Sequence, residues 1–257
     1  MKKIFVVLFA LVLALALVAC GTDGKANDTD TQAATDSVAD TAVDTAVETE
    51  GGEVAVMSYA DYVAAELEAP VVIEAYVQAK QSWWDNKATI YTQDQDGAYF
   101  IYEMVCSEED YAKLVPGTKI RVNGFKTAWE GEVEIASGAT FEIIEGADTY
   151  VAEPVDLTAV LGTEELINYQ NQLAVFKGMT VEAVEFKNGE PGDDIYVTLS
   201  LDGVSYSFCV EFYLTGADTE VYAAVSALEV GNVVDVEGFV YWYQGVNPHI
   251  TAVTVVG

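Results

Sequence analysis

Basic side chains are scarce in this 257-residue chain: 11 Lys and Arg stand against 42 Asp and Glu, for a formal charge of −31. Nucleic-acid binding rests on clustered Lys and Arg that displace counterions from phosphates, so nucleic acid is not expected as the main partner. A basic patch for anionic lipid is excluded on the same ground. There is one histidine, His249. A clustered-histidine metal site therefore lacks members, a Ser-His-Asp or Cys-His arrangement would have to use this lone histidine with a partner nothing in the sequence marks, and no Walker loop or dinucleotide glycine motif occurs. With only three cysteines there is no disulfide framework. Cys106 and Cys209 lie in apolar runs and read as buried hydrophobes, and their spacing neither requires nor forbids a bridge. No cofactor, metal or catalytic residue is expected.

Half of the chain is hydrophobic and 11% is aromatic, which is enough to build real cores and excludes disorder throughout. The first stretch is different in kind. Met1-Lys2-Lys3 precedes an unbroken apolar run from Ile4 to Ala19, shorter than the roughly 20 residues that a membrane span needs. A basic start, an apolar centre and small residues before a cut form the layout of a secretory signal. Within it, Leu17-Val18-Ala19-Cys20 resembles the lipobox of bacterial lipoproteins. The resemblance covers residues 1–21 and implies cleavage before Cys20, diacylglycerol on its sulfur, export, and anchoring at the extracytoplasmic face of a cell membrane. Residues 1–19 are then the signal peptide. Residues 20–57 form an acidic tether, rich in Thr, Ala, Asp and Gly, that cannot bury enough apolar surface to offset its chain entropy.

The rest of the chain compares with itself. Leu114-Val115-Pro116-Gly117-Thr118-Lys119-Ile120-Arg121-Val122-Asn123-Gly124-Phe125 and Leu228-Glu229-Val230-Gly231-Asn232-Val233-Val234-Asp235-Val236-Glu237-Gly238-Phe239 share the pattern L-x-x-G-x-x-[IV]-x-V-x-G-F at an offset of 114. Such self-similarity indicates two copies of one domain, over 58–147 and 155–257. In the first copy a helix is expected near Tyr59–Glu68. Strands are expected at Val71–Ala79, Ala88–Gln93, Tyr99–Val105, Lys119–Phe125 and Glu132–Ile144, with a short helix after Ser107. In the second copy the strands fall near Leu173–Glu185, Asp194–Leu201, Val204–Phe212, Val233–Val240 and Ile250–Val256, with a helix near Thr219–Ala227. Five strands with a helix between the third and fourth is the order of the oligonucleotide/oligosaccharide-binding (OB) barrel. Both matched stretches, and the hairpin TIYTQDQDGAYFIY, are similar to bacterial OB domains. The expected fold is thus mainly β, two tandem five-stranded OB-like barrels, with a β-sandwich as the alternative.

The aromatic loops are the candidate site. Trp83, Trp84, Asp85 and Asn86 lie between strands 1 and 2 of the first copy, and Trp129 and Glu130 between strands 4 and 5; Trp242 and Tyr243 hold the later position in the second copy. In OB folds these two loops flank the ligand face. Rings beside amide and carboxylate acceptors suit a neutral glycan or a peptide. The competing reading has the rings packing the barrels together, or serving as protein interfaces in an envelope assembly. Thr92-x-Asp94-x-Asp96-Gly97 imitates a calcium loop without its first aspartate and reads as a hairpin. Cys20→Ser is expected to abolish labelling by palmitate analogues and to release the protein from membranes; a variant that is still labelled counts against lipidation.

Overall fold

The computed structural model describes residues 55–257. The signal peptide, Cys20 and the tether up to residue 54 lie outside the described residues. A short helix α1 (Tyr59–Ala64) opens the described chain, followed by β1 (Pro70–Lys80), β2 (Lys87–Gln93), β3 (Ala98–Val105), α2 (Glu108–Lys113), β4 (Lys119–Trp129), β5 (Glu132–Ile135) and β6 (Thr140–Ile143). β1 pairs antiparallel with both β2 and β4, and β3 runs parallel to β5, so the sheet closes as β1-β2-β3-β5-β4. That closure makes it a barrel and not a sandwich. Next come β7 (Val155–Asp156), β8 (Leu173–Phe186), β9 (Ile195–Leu201), β10 (Val204–Val210), α3 (Phe212–Thr215), α4 (Glu220–Ser226), β11 (Val233–Phe239) and β12 (His249–Val255). The second sheet repeats the pairing order β8-β9-β10-β12-β11, with β11 returning to β8 and β10 parallel to β12.

The interiors follow from period-two alternation. Val71, Ile73, Ala75 and Val77 on β1 share the first core with Ile90, Ile101, Ile120, Val122 and Ile135. Phe176, Val181, Val197, Leu199, Val234 and Ile250 build the second around Phe208, whose ring meets Phe176 edge to face at 5.4 Å. Ser107 caps α2 by accepting from the Asp110 amide, and Thr219 caps α4 by accepting from Tyr222.

Four expected elements differ. The strand expected at Lys119–Phe125 runs on to Trp129, so Trp129 ends β4 and pairs with Glu132 instead of lying in a loop. The helix near Tyr59–Glu68 ends at Ala64, where the Lys126 ammonium donates to the carbonyls of Tyr62, Val63 and Ala65 at 3.0, 2.8 and 2.7 Å. A cation at a helix C-terminus satisfies carbonyls that the next turn would otherwise take. The single strand over Glu132–Ile144 is two strands, broken at Ser137-Gly138, where Gly138 has φ +89°. Strand β10 stops at Val210 because Phe212 begins a helix capped by Glu211.

Gly117 and Gly231 occupy turns at φ +89° and +93°. Gly238 sits at the register shift between β11 and β12, and a Cβ there would collide with the His249 carbonyl oxygen and lie 2.9 Å from its carbon. Backbone cannot yield as a flexible side chain does. Gly238→Ala is therefore expected to lower stability by about 1–3 kcal/mol, read from urea unfolding. An unchanged midpoint would contradict this packing.

Candidate functional site

On β5 the sequence is Glu132-Val133-Glu134-Ile135. Ile135 belongs to the core, so alternation sends Glu132 and Glu134 to the outer face of the barrel. Thr89 and Tyr91 on β2 and Phe100 and Tyr102 on β3 share that face, because Ile90, Tyr99 and Ile101 point inward. The second barrel turns its corresponding outer surface toward the first. Tyr91 stacks on Phe239 with ring centroids 4.1 Å apart and planes 6° from parallel. Its hydroxyl shares a 2.8 Å hydrogen bond with His249 Nδ1. Phe100 meets Tyr241 at 5.3 Å, and Tyr241 stacks on His249 at 4.3 Å.

Beyond this dry contact the two faces part into a cleft of about 920 Å³. Trp84, Tyr102 and Trp129 come to it from the first barrel and Tyr196, Tyr213 and Tyr243 from the second, over a base that includes Phe100, Tyr241 and His249. Tight hairpins set the rim. Trp84 and Lys87 exchange backbone hydrogen bonds across Asp85 and Asn86, whose φ values are +48° and +58°. Both central residues at positive φ is the type I′ geometry, to which Asn and Asp are suited. Glu130-Gly131 repeats it at +50° and +99°. The Gln244 amide donates to the Glu130 carbonyl at 2.7 Å, which brings the Trp129 and Tyr243 rings to 5.2 Å.

Of the residues singled out from sequence, Trp84, Trp129 and Tyr243 line the cleft and are half to two-thirds exposed. The others do not line it. Trp83 is half-buried and its Nε1 donates to the Cys106 carbonyl at 2.9 Å. Trp242 packs against the second core and over Gly131. Asp85, Asn86 and Glu130 are turn residues whose work is to hold positive φ. Sequence reasoning missed Phe100, Tyr102, Glu134, Tyr196, Tyr213 and Tyr241. On β3 the signal was present: Tyr99-Phe100-Ile101-Tyr102 carries large rings on both faces of one strand, which a barrel with a solvated exterior does not need.

The acids of the cleft are mostly engaged. Glu103 is paired with Lys87 at 2.8 Å. Asp194 accepts from the Phe212 amide and from Lys187, both at 2.9 Å. Glu211 accepts from the amides of Tyr213 and Leu214, and burial pushes its carboxyl up to about 7. The Glu134 side chain has no hydrogen bond or ion pair among the described residues; at 7% exposure, burial raises its carboxyl to about 7. Burial holds His249 neutral, down at about 3, and keeps the Cys209 thiol protonated. Cys106 and Cys209 are both free and buried. Among the described residues no group of three or more His, Cys, Asp or Glu could hold a metal ion. In the hairpin read against the calcium loop, Asp94 Oδ1 accepts from the amides of Asp96 and Gly97.

No protein-family model matches the chain, and no curated protein matches it in sequence. Among solved structures, the chain is similar to the p204 HINb domain at 10% identity, covering 74% of this chain and 98% of that one, with a TM-score of 0.33. A murine DNA-binding protein bound to double-stranded DNA matches at 10% identity, 73% and 96% coverage, and a TM-score of 0.35. The asparaginyl-tRNA synthetase of Pyrococcus horikoshii matches at 18% identity over 33% of this chain, with a TM-score of 0.27, and the chain spans only 19% of that enzyme. Likenesses of this depth carry no functional implication.

Glu132, fully buried between the barrels, accepts at Oε2 from the Trp242 amide (3.0 Å) and Gln170 Nε2 (3.2 Å). Its Oε1 and the nearby Asn171 Oδ1 have no partner. Burial raises the carboxyl from 4.5 to about 8, and a proton brings a donor to a place that otherwise holds two acceptors lacking one. The folded chain thus keeps a proton that the unfolded chain releases. The stabilisation from Glu132 is complete below pH 4.5, falls as the pH rises toward about 8, and is absent above that. Glu132→Gln, shaped like the protonated acid, is expected to melt with the wild type near pH 5 and above it at pH 9. Parallel pH profiles would refute the buried proton.

Proposed function

We propose that this chain is a non-enzymatic binding protein, two OB-like barrels in tandem, whose ligand lies in the cleft between their facing outer surfaces. The observation that carries the reading is the convergence of rings from both barrels, Trp84, Tyr102 and Trp129 opposite Tyr196, Tyr213 and Tyr243, on one open cleft. Packing alone does not account for rings that stay this exposed: Trp84 is 66% accessible and Trp129 52%. Exposed aromatic planes beside acceptors suit a glycan segment or a short peptide. The surrounding acid disfavours phosphates and hence nucleic acid. Chemistry is disfavoured residue by residue. His249 is buried against Tyr91, the Cys209 thiol is held protonated, and both oxygens of Glu211 cap a helix, leaving one unengaged carboxylate where hydrolysis of a glycoside requires two. The lipobox resemblance supports a lipid anchor at Cys20, with the acidic tether holding the barrels away from the membrane.

Tryptophan fluorescence titrated with soluble polysaccharides, short peptides and single-stranded DNA tests the reading. One ligand class is expected to give a saturable change, weakened about tenfold or more by Trp84→Ala with Trp129→Ala, the scale of ~1.4 kcal/mol for lost ring contacts. Trp83→Ala is expected to lower the melting temperature and leave affinity intact. Loss of binding in Trp83→Ala alone would place the site elsewhere. No response to any ligand would favour an assembly module with the rings as protein interfaces.

A further inference from the structure

We propose that the cleft takes an organic cation, an alkylammonium or guanidinium group seated on Glu134 among the aromatic rings. The inference rests on the cleft being the binding site and names the chemistry it selects. Glu134 lines the cleft and is more than nine-tenths buried, and its side chain has no hydrogen bond or ion pair among the described residues. Its oxygens are not among the sealed, unpartnered atoms and so open onto the cleft, where burial disfavours the ionised form and a ligand that brings charge and donors would favour it. The chain itself does not supply them. Lys87, the one lysine or arginine lining the cleft, is held by Glu103 at 2.8 Å. His249 is neutral and engaged with Tyr91. Lys126, adjacent on β4 to Thr127, the residue paired with Glu134, spends its ammonium on the α1 carbonyls.

The surroundings of Glu134 suit a cation more than a neutral donor. Tyr102 and Tyr241 lie close enough to feel its charge. Their ring faces, with those of Trp84 and Trp129 at the rim, carry the negative quadrupole that attracts ammonium and guanidinium groups. A sugar hydroxyl can hydrogen-bond the carboxyl whether or not it is ionised, whereas a cation specifically favours the ionised form. A cation answers both the charge and the missing donors. The same group is offered by a small free amine and by a lysine or arginine side chain of a peptide, and the two differ in what lies beyond it.

Calorimetric titration of the full chain in 0.15 M salt, on the order of physiological ionic strength, separates these cases. The probes are cadaverine, tetralysine, tetralysine acetylated at its α-amine and every Nε, and neutral cellotetraose. Cadaverine or tetralysine is expected to bind saturably, and the acetylated peptide and cellotetraose are not. Glu134→Gln is expected to weaken binding at least tenfold with an unchanged or raised melting temperature, which shows that it still folds. Glu229→Gln, which removes an exposed acid, is expected to change nothing. Binding of cadaverine assigns the site to small amines; binding of tetralysine alone assigns it to peptide side chains. Equal affinity in the wild type, Glu134→Gln and Glu229→Gln would mean general attraction to an acidic protein and overturns the proposal. So does failure of both cations to bind. If cellotetraose then binds and is lost in Trp84→Ala with Trp129→Ala, the cleft is still the binding site and only its cation chemistry is wrong; if nothing binds, both readings fail.

Discussion

Tyr91 carries the junction on which the rest of the architecture depends. It is on the outer face of the first barrel, yet it is fully buried, stacked on Phe239 and hydrogen-bonded to His249 of the second. Around it Phe100, Leu173, Leu214 and Tyr241 complete a third small core that belongs to neither barrel interior. A closed barrel has no free edge through which to pair with a neighbour, so these two join through outward-facing side chains and loops instead of a shared sheet. Here the outward faces carry rings. Their stacking fixes which faces meet, and the cleft is the part of that meeting where the surfaces diverge.

Buried amides surround the aromatic contact. Gln170 bridges to Gly131 and Val133, Asn171 to Val133, Gln93 to Leu173, and Gln78 to Tyr150 and Ala152. Each donates to or accepts from backbone that strand pairing leaves unused, which is why these polar side chains tolerate burial. The carboxylates Glu132 and Glu134 stand out against this background, one keeping its proton and the other keeping an open face. Two acids two residues apart on one short strand have different surroundings because one faces the junction and the other the cleft.

Much of the barrel construction was legible in the sequence. The strands near Val71–Ala79, Ala88–Gln93, Tyr99–Val105 and Leu173–Glu185 follow from alternation, and the caps at Ser107 and Thr219 from local chemistry. The break at Ser137-Gly138 was not, because Glu132–Ile144 keeps apolar residues on both sides of the turn. The cleft was half legible. Loop position brought out Trp84, Trp129 and Tyr243, but nothing local separates Trp83 from Trp84, since adjacent side chains project to opposite sides and only the fold decides which side is wet. Glu134 was hidden for a different reason: among 42 acids, a carboxylate gains meaning only when a second barrel covers it. Phe100 and Tyr102 needed the alternation of β3 to be followed through to its outer face.

The amide bridges across the junction have a mechanical consequence. Gln170 and Asn171 grip β5 through its backbone at Gly131 and Val133, and Ser82 and Glu130 are bound from the other barrel by Tyr213 and Gln244. Contacts of this kind register strand against strand and leave little room to slide or hinge. The walls of the cleft therefore stand at a set separation before anything enters. If the cleft is the binding site, as proposed, such a slot would act as a gauge, admitting a guest by thickness without the cost of closing around it.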